Sequence, residues 1–338
     1  MPCTQRKATT IKERINNIKE TIPCIHNRLP RASIDYGWLI IRHSIWAGTC
    51  KSPLYANNWC IKQIELKINY FLCAAKLILS QFGGSRLKML KKQLKAVKSG
   101  TQNYIDIPNE KLESIPSELL EVKDQIQNLY LSCNHIEAID ELGQLNYLKE
   151  IYQGLNKINS VPKLQNLTNL THLNLSFNRI EEFPTGLTSC GNLKYLDLNG
   201  NRLKTIPPKI NLFTDLRSFS IGDNLLINLP KEIGQMKKLE VLVIRNNSIT
   251  SLPDEIGNLS KLMRLYAQQN QLEVLPSTIT SCPLDKPGAV VRLTKNPLVP
   301  TLQKAYDIKG CKGIYDCYRE GKFTKIMTEC KKPTTSQK

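Results

Sequence analysis

The sequence predicts an α/β solenoid, with a curved parallel β-sheet on its concave face, short helices or turns on its convex face, and helical caps at its ends. Three observations predict it. A pattern of apolar residues around one asparagine recurs along the chain, met first as Ile126, Leu129, Leu131, Asn134 and Ile136. Self-similarity at a fixed period marks stacked supersecondary units that share one core. A second signal recurs between copies of the first, at Ile206-Pro207, Leu229-Pro230, Leu252-Pro253 and Leu275-Pro276. Finally, the net charge of +18 on 338 residues sits at the two ends of the chain and leaves the periodic part close to neutral.

The strands follow from the first signal. The asparagines fall at Asn134, Asn156, Asn178, Asn201, Asn224, Asn247 and Asn270, so the spacings are 22, 22, 23, 23, 23 and 23 residues. This is a leucine-rich repeat pattern. Around each LxL, alternate side chains such as Leu193, Leu196 and Leu198 turn inward from a short strand. The asparagine stands where the chain leaves the strand, and its amide can donate to and accept from backbone groups of neighbouring turns. Stacked copies are therefore expected to form an internal ladder. A degenerate copy precedes the array, with Ile105, Ile107 and Leu112 in register but Glu110 in place of the asparagine. Another follows, ending in Asn296-Pro297-Leu298. About nine repeats are predicted over residues 101–298, with irregular ends of the kind a solenoid needs.

The convex elements follow from the second signal. Proline lacks an N–H and cannot continue a strand, so it starts the return segment. Ile210, Ile233, Ile256 and Ile279 come next, and Leu212, Met236 and Leu259 are expected to fill the outer layer of the core. Cys190 and Cys282 take the same layer, where a thiol serves as a small buried hydrophobe.

Outside the array, residues 1–85 show neither repeat nor periodicity and are expected to form a poorly ordered basic extension. They hold Cys3, Cys24, Cys50, Cys60 and Cys73, five of the eleven cysteines. Their start is too polar for a secretory signal, although residues 1–34, basic and poor in acid, are compatible with a mitochondrial transit segment. The apolar run from Tyr70 to Leu79 is far short of the roughly 20 residues that span a bilayer. Coherent patterning begins near Met89, so Met89 is an alternative physiological start. Residues 86–100 are expected to be a capping helix with Leu87, Leu90, Leu94 and Val97 on one stripe and lysines opposite. A basic amphipathic helix can also lie on an acidic membrane, a role not favoured here. Residues 299–332 read as a C-terminal cap, in which Leu302, Tyr306, Ile308, Ile314, Tyr315, Tyr318, Phe323, Ile326 and Met327 suit two short helices broken near Gly310 and Gly321. Residues 333–338 are a tail.

Several functions are disfavoured. Residues 1–100 carry 18 Lys+Arg against 4 Asp+Glu and residues 299–338 carry 9 against 4, which leaves 20 against 21 in the repeats. That balance argues against a nucleic-acid groove on the array. His26, His43, His135 and His172 are scattered and frame no catalytic motif. Cys311, Cys317 and Cys330 lack zinc-site spacing. No enzyme activity, metal or cofactor is expected. Eleven cysteines without a signal segment or a cysteine-framed cap imply reduced thiols and a cytoplasmic protein. Asn-x-Ser/Thr triplets at Asn166, Asn169, Asn174, Asn246 and Asn258 arise from the repeat pattern itself.

What remains is the concave face. The register places Tyr130, Glu150, Tyr152, His172, Asn174, Tyr195, Asp197, Arg245, Arg264, Tyr266, Gln268 and Arg292 there, and tyrosine and arginine are enriched at interface hot spots. Tyrosines and carboxylates gather toward the N-terminal side, arginines toward the C-terminal side, so a monomer gripping one partner of matching charge asymmetry is expected.

The units Leu229-Pro230-Lys231-Glu232-Ile233-Gly234 and Leu252-Pro253-Asp254-Glu255-Ile256-Gly257 resemble the intracellular Ras-group leucine-rich repeat proteins over most of residues 101–298. Asn296-Pro297 and Gly313-Ile314-Tyr315-Asp316-Cys317-Tyr318 look most like the Ras suppressor branch of that group. The resemblance implies a scaffold without enzyme activity that modulates Ras-to-kinase signalling or joins LIM-domain adaptors at cell–matrix adhesions. The chain departs from the branch in its 22-residue units, in Leu298 where the closing motif has an aromatic residue, and in its N-terminal extension. The 22-residue units also look like the regulatory subunit of a nuclear protein phosphatase, a family that keeps that length nearly throughout. A bacterial-type leucine-rich repeat ubiquitin ligase would need a helical catalytic domain after the repeats, and the 40 residues from 299 to 338 are too few.

Overall fold

The computed structural model describes residues 86–330. The extension 1–85 and the tail 333–338 lie outside the described residues, as do the side chains of Leu87 and Phe323. The order begins with helix α1 (Arg86–Lys98) and continues through strands β1 (Tyr104–Asp106), β2 (Asn128–Tyr130), β3 (Glu150–Tyr152), β4 (His172–Asn174), β5 (Tyr195–Asp197), β6 (Ser218–Ser220), β7 (Val241–Val243), β8 (Arg264–Tyr266) and β9 (Val290–Arg292). The strands form one parallel sheet in strict sequence order. Register is one to one, so that Leu129 faces Ile151, Ile151 faces Leu173, and Leu173 faces Leu196. The middle residue of each strand from Ile105 to Leu265 is buried. Side chains alternate along a strand, so both flanking residues point to the opposite, concave face.

On the convex side, proline sets a short 3₁₀ helix. Its carbonyl accepts the N–H three residues on: Leu187 from Pro184 at 3.0 Å, Ile233 from Pro230 at 3.1 Å and Ile256 from Pro253 at 3.0 Å. The turns at Lys231–Gln235, Asp254–Asn258 and Ser277–Ser281 stack closely. A Cβ on Gly234 would come within 2.3 Å of the Glu255 carbonyl oxygen, and one on Gly257 within 2.4 Å of that of Thr278. Only glycine lets these backbones approach so far.

Two expectations fail in this layer. Leu212 does not enter the core: it is 48% exposed, and Phe213 is buried in its place. Phe213 ends the 3₁₀ turn, its N–H bonding the Ile210 carbonyl at 3.2 Å, which swings its ring inward and leaves Leu212 outside. Between β3 and β4 no 3₁₀ helix forms. In that 22-residue unit Leu164 stands two residues after Pro162, whereas the buried apolar residue stands three after the proline in the other proline-led turns. The chain returns through bonds from Leu167 N–H to Leu164 and from Leu170 N–H to Leu167, at 3.0 and 3.1 Å.

The sheet edges are met by side chains. At β1, the Gln93 amide of α1 donates to the Asp106 carbonyl and accepts the Asp106 N–H, both at 2.7 Å, as a neighbouring strand would. Leu90, Leu94 and Val97 of α1 are buried against the first repeat. Beyond β9, three helices follow rather than the two expected: α2 (Pro300–Lys309), α3 (Cys311–Arg319) and α4 (Phe323–Cys330). Gly310 and Gly321 adopt φ of 60° and 72°, and each starts a new helix axis. The Tyr306 hydroxyl accepts the Leu293 N–H at 3.1 Å and donates to the Val291 carbonyl at 3.2 Å. The Tyr315 hydroxyl lies 2.6 and 2.8 Å from the Ile279 and Cys282 carbonyls, and that of Tyr318 donates to Leu275. Leu302, Ile314 and Ile326 are buried, but Ile308 is not part of this packing and faces solvent.

One buried position breaks the pattern. Gln153 occupies the inward site that Leu131, Leu175 and Leu198 hold in neighbouring repeats, and it is fully buried. Neither of its amide atoms has a hydrogen-bond partner. An unsatisfied buried amide opposes folding.

Candidate functional site

The asparagines connect adjacent repeats. Asn201 Oδ1 accepts the Ile180 N–H, and its Nδ2 donates to the carbonyls of Leu175 and Leu198, all at 3.0 Å. Asn134, Asn156, Asn178, Asn224, Asn247 and Asn270 repeat this arrangement, each accepting a backbone N–H from the preceding repeat, two in the case of Asn134, and donating to one carbonyl of that repeat and one of its own. Asn296 adds a further rung, with Leu272 N–H at 3.1 Å and the Ala267 carbonyl at 2.9 Å. The residue before each rung is left-handed: Cys133, Leu155, Phe177, Asp223, Asn246, Gln269 and Lys295 have φ between 49° and 60°. Gly200 is the one glycine in this column, so sequence carries almost no signal for the bend.

This frame presents the concave side chains. Toward the N-terminal end, the rings of Tyr130 and Tyr152 stack with centroids 5.1 Å apart, and Tyr104 meets Tyr130 edge-on at 6.4 Å. The Tyr130 hydroxyl lies 3.3 Å from a Glu150 carboxylate oxygen, whose other oxygen is 3.6 Å from His172 Nδ1. The His172 ring stacks on Tyr195 at 4.3 Å. Asn174, placed on the same face, is nearly buried and ties the Ser176 N–H and hydroxyl to its own Oδ1 while its amide reaches Asp197 at 3.4 Å. Burial pushes the Asp197 carboxyl up to about 6, against the opposing effect of the Asn199 N–H bonded to it at 3.0 Å and of Arg245 nearby. Burial also raises the Tyr195 phenol.

The middle of the face is small, with Ser218, Ser220, Val241 and Val243 between larger neighbours. Toward the C-terminal end, Arg292 lies over the Tyr266 ring at 5.7 Å, and Arg264 precedes that tyrosine on β8. Arg245 is less available than its charge suggests, because Asp223 pairs with it at 2.7 Å. Gln268 stands two residues past Tyr266 with its Oε1 buried and unbonded. The predicted residues therefore gather as two stacked aromatic groups and one arginine–tyrosine group along a single face. Sequence reading missed Tyr104 and Asp106 of β1, although Ile105 in register between them marks both as concave. Among the described residues, no group of three or more His, Cys, Asp or Glu could hold a metal ion, and no helix is long and apolar enough to cross a membrane. The Cys190 and Cys282 thiols are buried, and burial raises each to about 11.

Nine parallel strands in sequence order, asparagine rungs and convex 3₁₀ turns define a leucine-rich repeat solenoid. Comparison with known proteins agrees: residues 187–282 match the family model of a leucine-rich repeat region, and residues 169–190 match that of the leucine rich repeat. No curated protein matches. Among solved structures, the chain is similar to a leucine-rich repeat protein of Leptospira interrogans, at 31% identity and a TM-score of 0.55, over 61% of this chain and 52% of that one. The chain thus spans about half the length of that relative. It also matches internalin C2 of Listeria monocytogenes at 20% identity and a TM-score of 0.52, over 61% of this chain and 92% of that one, a likeness of fold.

Proposed function

We propose that this chain is a non-enzymatic protein-interaction scaffold that holds a protein partner on its concave face. The observation that carries this reading is the concave array of mutually packed side chains: Tyr130 on Tyr152, His172 on Tyr195, and Arg292 over Tyr266. Solenoids present extended concave surfaces for binding. Side chains already held by their neighbours lose little freedom when a partner arrives.

The finer reading is an intracellular adaptor of the Ras-pathway or cell-adhesion kind, cytoplasmic and monomeric, whose partner is a LIM-domain adaptor or a Ras-pathway protein. It is supported by the likeness of Leu229–Gly234 and Leu252–Gly257 to the Ras group and by the free thiols of Cys190, Cys282 and Cys317. The 22-residue steps from Asn134 to Asn156 to Asn178 favour a second reading, the regulatory subunit of a protein phosphatase.

Affinity capture from native cell extract, with wild type and the Tyr152→Ala/Tyr266→Ala pair read by mass spectrometry, tests both. A LIM-domain or Ras-pathway protein lost from the double variant is the expected result. Recovery of a phosphatase catalytic subunit would promote the alternative, and equal recovery by both baits would end the concave-face reading.

A further inference from the structure

The residues one before, one after and three after each rung asparagine face outward together, because the asparagine between them turns in. They form a lateral face between the sheet and the convex turns. Its rows are held in register by backbone bonds from Lys157 N–H to Ile136, Arg179 N–H to Ile158, Arg202 N–H to Ile180 and Leu225 N–H to Leu203, at 2.8–2.9 Å. Across four successive repeats this face is apolar and basic at once. Leu155, Phe177, Leu225 and Ile227 are 41%, 43%, 52% and 59% exposed, four of the exposed large apolar side chains of the array gathered on one face. Between them stand Lys157, Arg179, Arg202 and Lys204. Glu181 pairs with Arg202 at 3.4 Å, whereas among the described residues no carboxylate pairs with Lys157, Arg179 or Lys204. Gly200, at φ of 65°, leaves room for the Phe177 ring, which lies where a Cβ would be only 2.5 Å from it. The ring thereby fills the space that a side chain at position 200 would take. In the next two repeats the same positions hold Asn246, Ser248, Thr250, Gln269, Gln271 and Glu273, with neither apolar groups nor cations.

We propose that this lateral face is a second docking surface, separate from the concave one, for an acidic polypeptide segment interspersed with aliphatic side chains. The unpaired cations supply complementarity to carboxylates, which raises association rate and selects against basic partners. Leu155, Leu225 and Ile227 supply area removed from water. Three of the four apolar groups are aliphatic, which suits protein side chains better than nucleic acid, whose bases stack on aromatic rings.

The test uses the full chain and three dye-labelled probes read by fluorescence anisotropy: a twelve-residue peptide alternating Glu and Leu, its Lys and Leu counterpart, and a twenty-nucleotide oligothymidine. The variants are Leu225→Ser/Ile227→Thr, which adopts the side chains of the next repeat and should fold normally, and Arg179→Gln/Lys204→Gln. The Glu/Leu peptide should bind best, lose at least tenfold affinity in the first variant, lose salt dependence in the second, and ignore Tyr152→Ala/Tyr266→Ala. Unchanged affinity in both lateral variants would overturn the proposal. So would tighter binding of the oligothymidine that the same variants abolish, or loss of the peptide only in the concave pair.

Discussion

The repeats around Asn156 and those from Asn201 to Asn270 obey one plan and execute it differently. The later set keeps 23-residue spacing, closes its convex turns on proline carbonyls, and packs Gly234 and Gly257 against the next turn. The earlier unit drops one residue, loses its 3₁₀ helix and places the unsatisfied Gln153 in the core. Both keep the asparagine rung with the same partners. The rung and the strand therefore define a repeat, while the convex side tolerates variation at a cost in packing.

The largest break in that contrast should come from Gly257→Val, whose side chain would meet the Thr278 backbone; overpacking of this kind should lower stability by about 3 kcal/mol in urea unfolding. Gly143→Ala in the looser half, where the nearest atom to a Cβ is the Lys163 carbonyl oxygen at 3.9 Å, should be neutral or slightly stabilising. Next, Asn224→Ala leaves the Leu203 N–H and the Leu198 and Ile221 carbonyls without their amide, a loss of roughly 1–3 kcal/mol. Amide hydrogen exchange should locate that loosening in the repeats beside it. Gln153→Leu should act in the opposite direction, raising the urea midpoint by about 1 kcal/mol of stability and narrowing the difference between the halves. If it lowers stability instead, the amide has a partner in solution.

The smallest effect is a pH dependence. The Asp197 carboxyl titrates near 6 when folded, above its unfolded value of about 3.9, so the folded chain holds this proton more tightly. Its contribution to stability is present below pH of about 4 and is lost as pH rises through 6. Thermal unfolding across that window should show less slope in Asp197→Asn.

The strands and rungs were legible because they depend on a strict period. Twelve residues separate Asn178 from Cys190 and Asn224 from Met236, and the same count from Asn201 leads to Phe213, not Leu212. Two adjacent apolar residues look alike in a pattern, and only the turn geometry separates them. The C-terminal helices were legible as apolar spacing, but the left-handed bend at Gly310 and its consequence for Ile308 were not. The left-handed column before the rungs carries Leu155 and Phe177, residues with no intrinsic preference for that conformation; the neighbouring ladder imposes it. On the concave face the strand alternation named the side chains, but their stacking and the Asp223–Arg245 pair depend on distances between repeats that no single repeat encodes.

Gln93 and Tyr306 stand at opposite edges of the sheet and occupy the Asp106 N–H and carbonyl at one end and the Leu293 N–H and Val291 carbonyl at the other. An uncovered parallel edge is a template for strand capture, exchange of elements between molecules and growth into fibres. Side chains that mimic the missing strand thus act as chain terminators for the sheet, and Gln93→Ala and Tyr306→Phe would remove that protection one edge at a time.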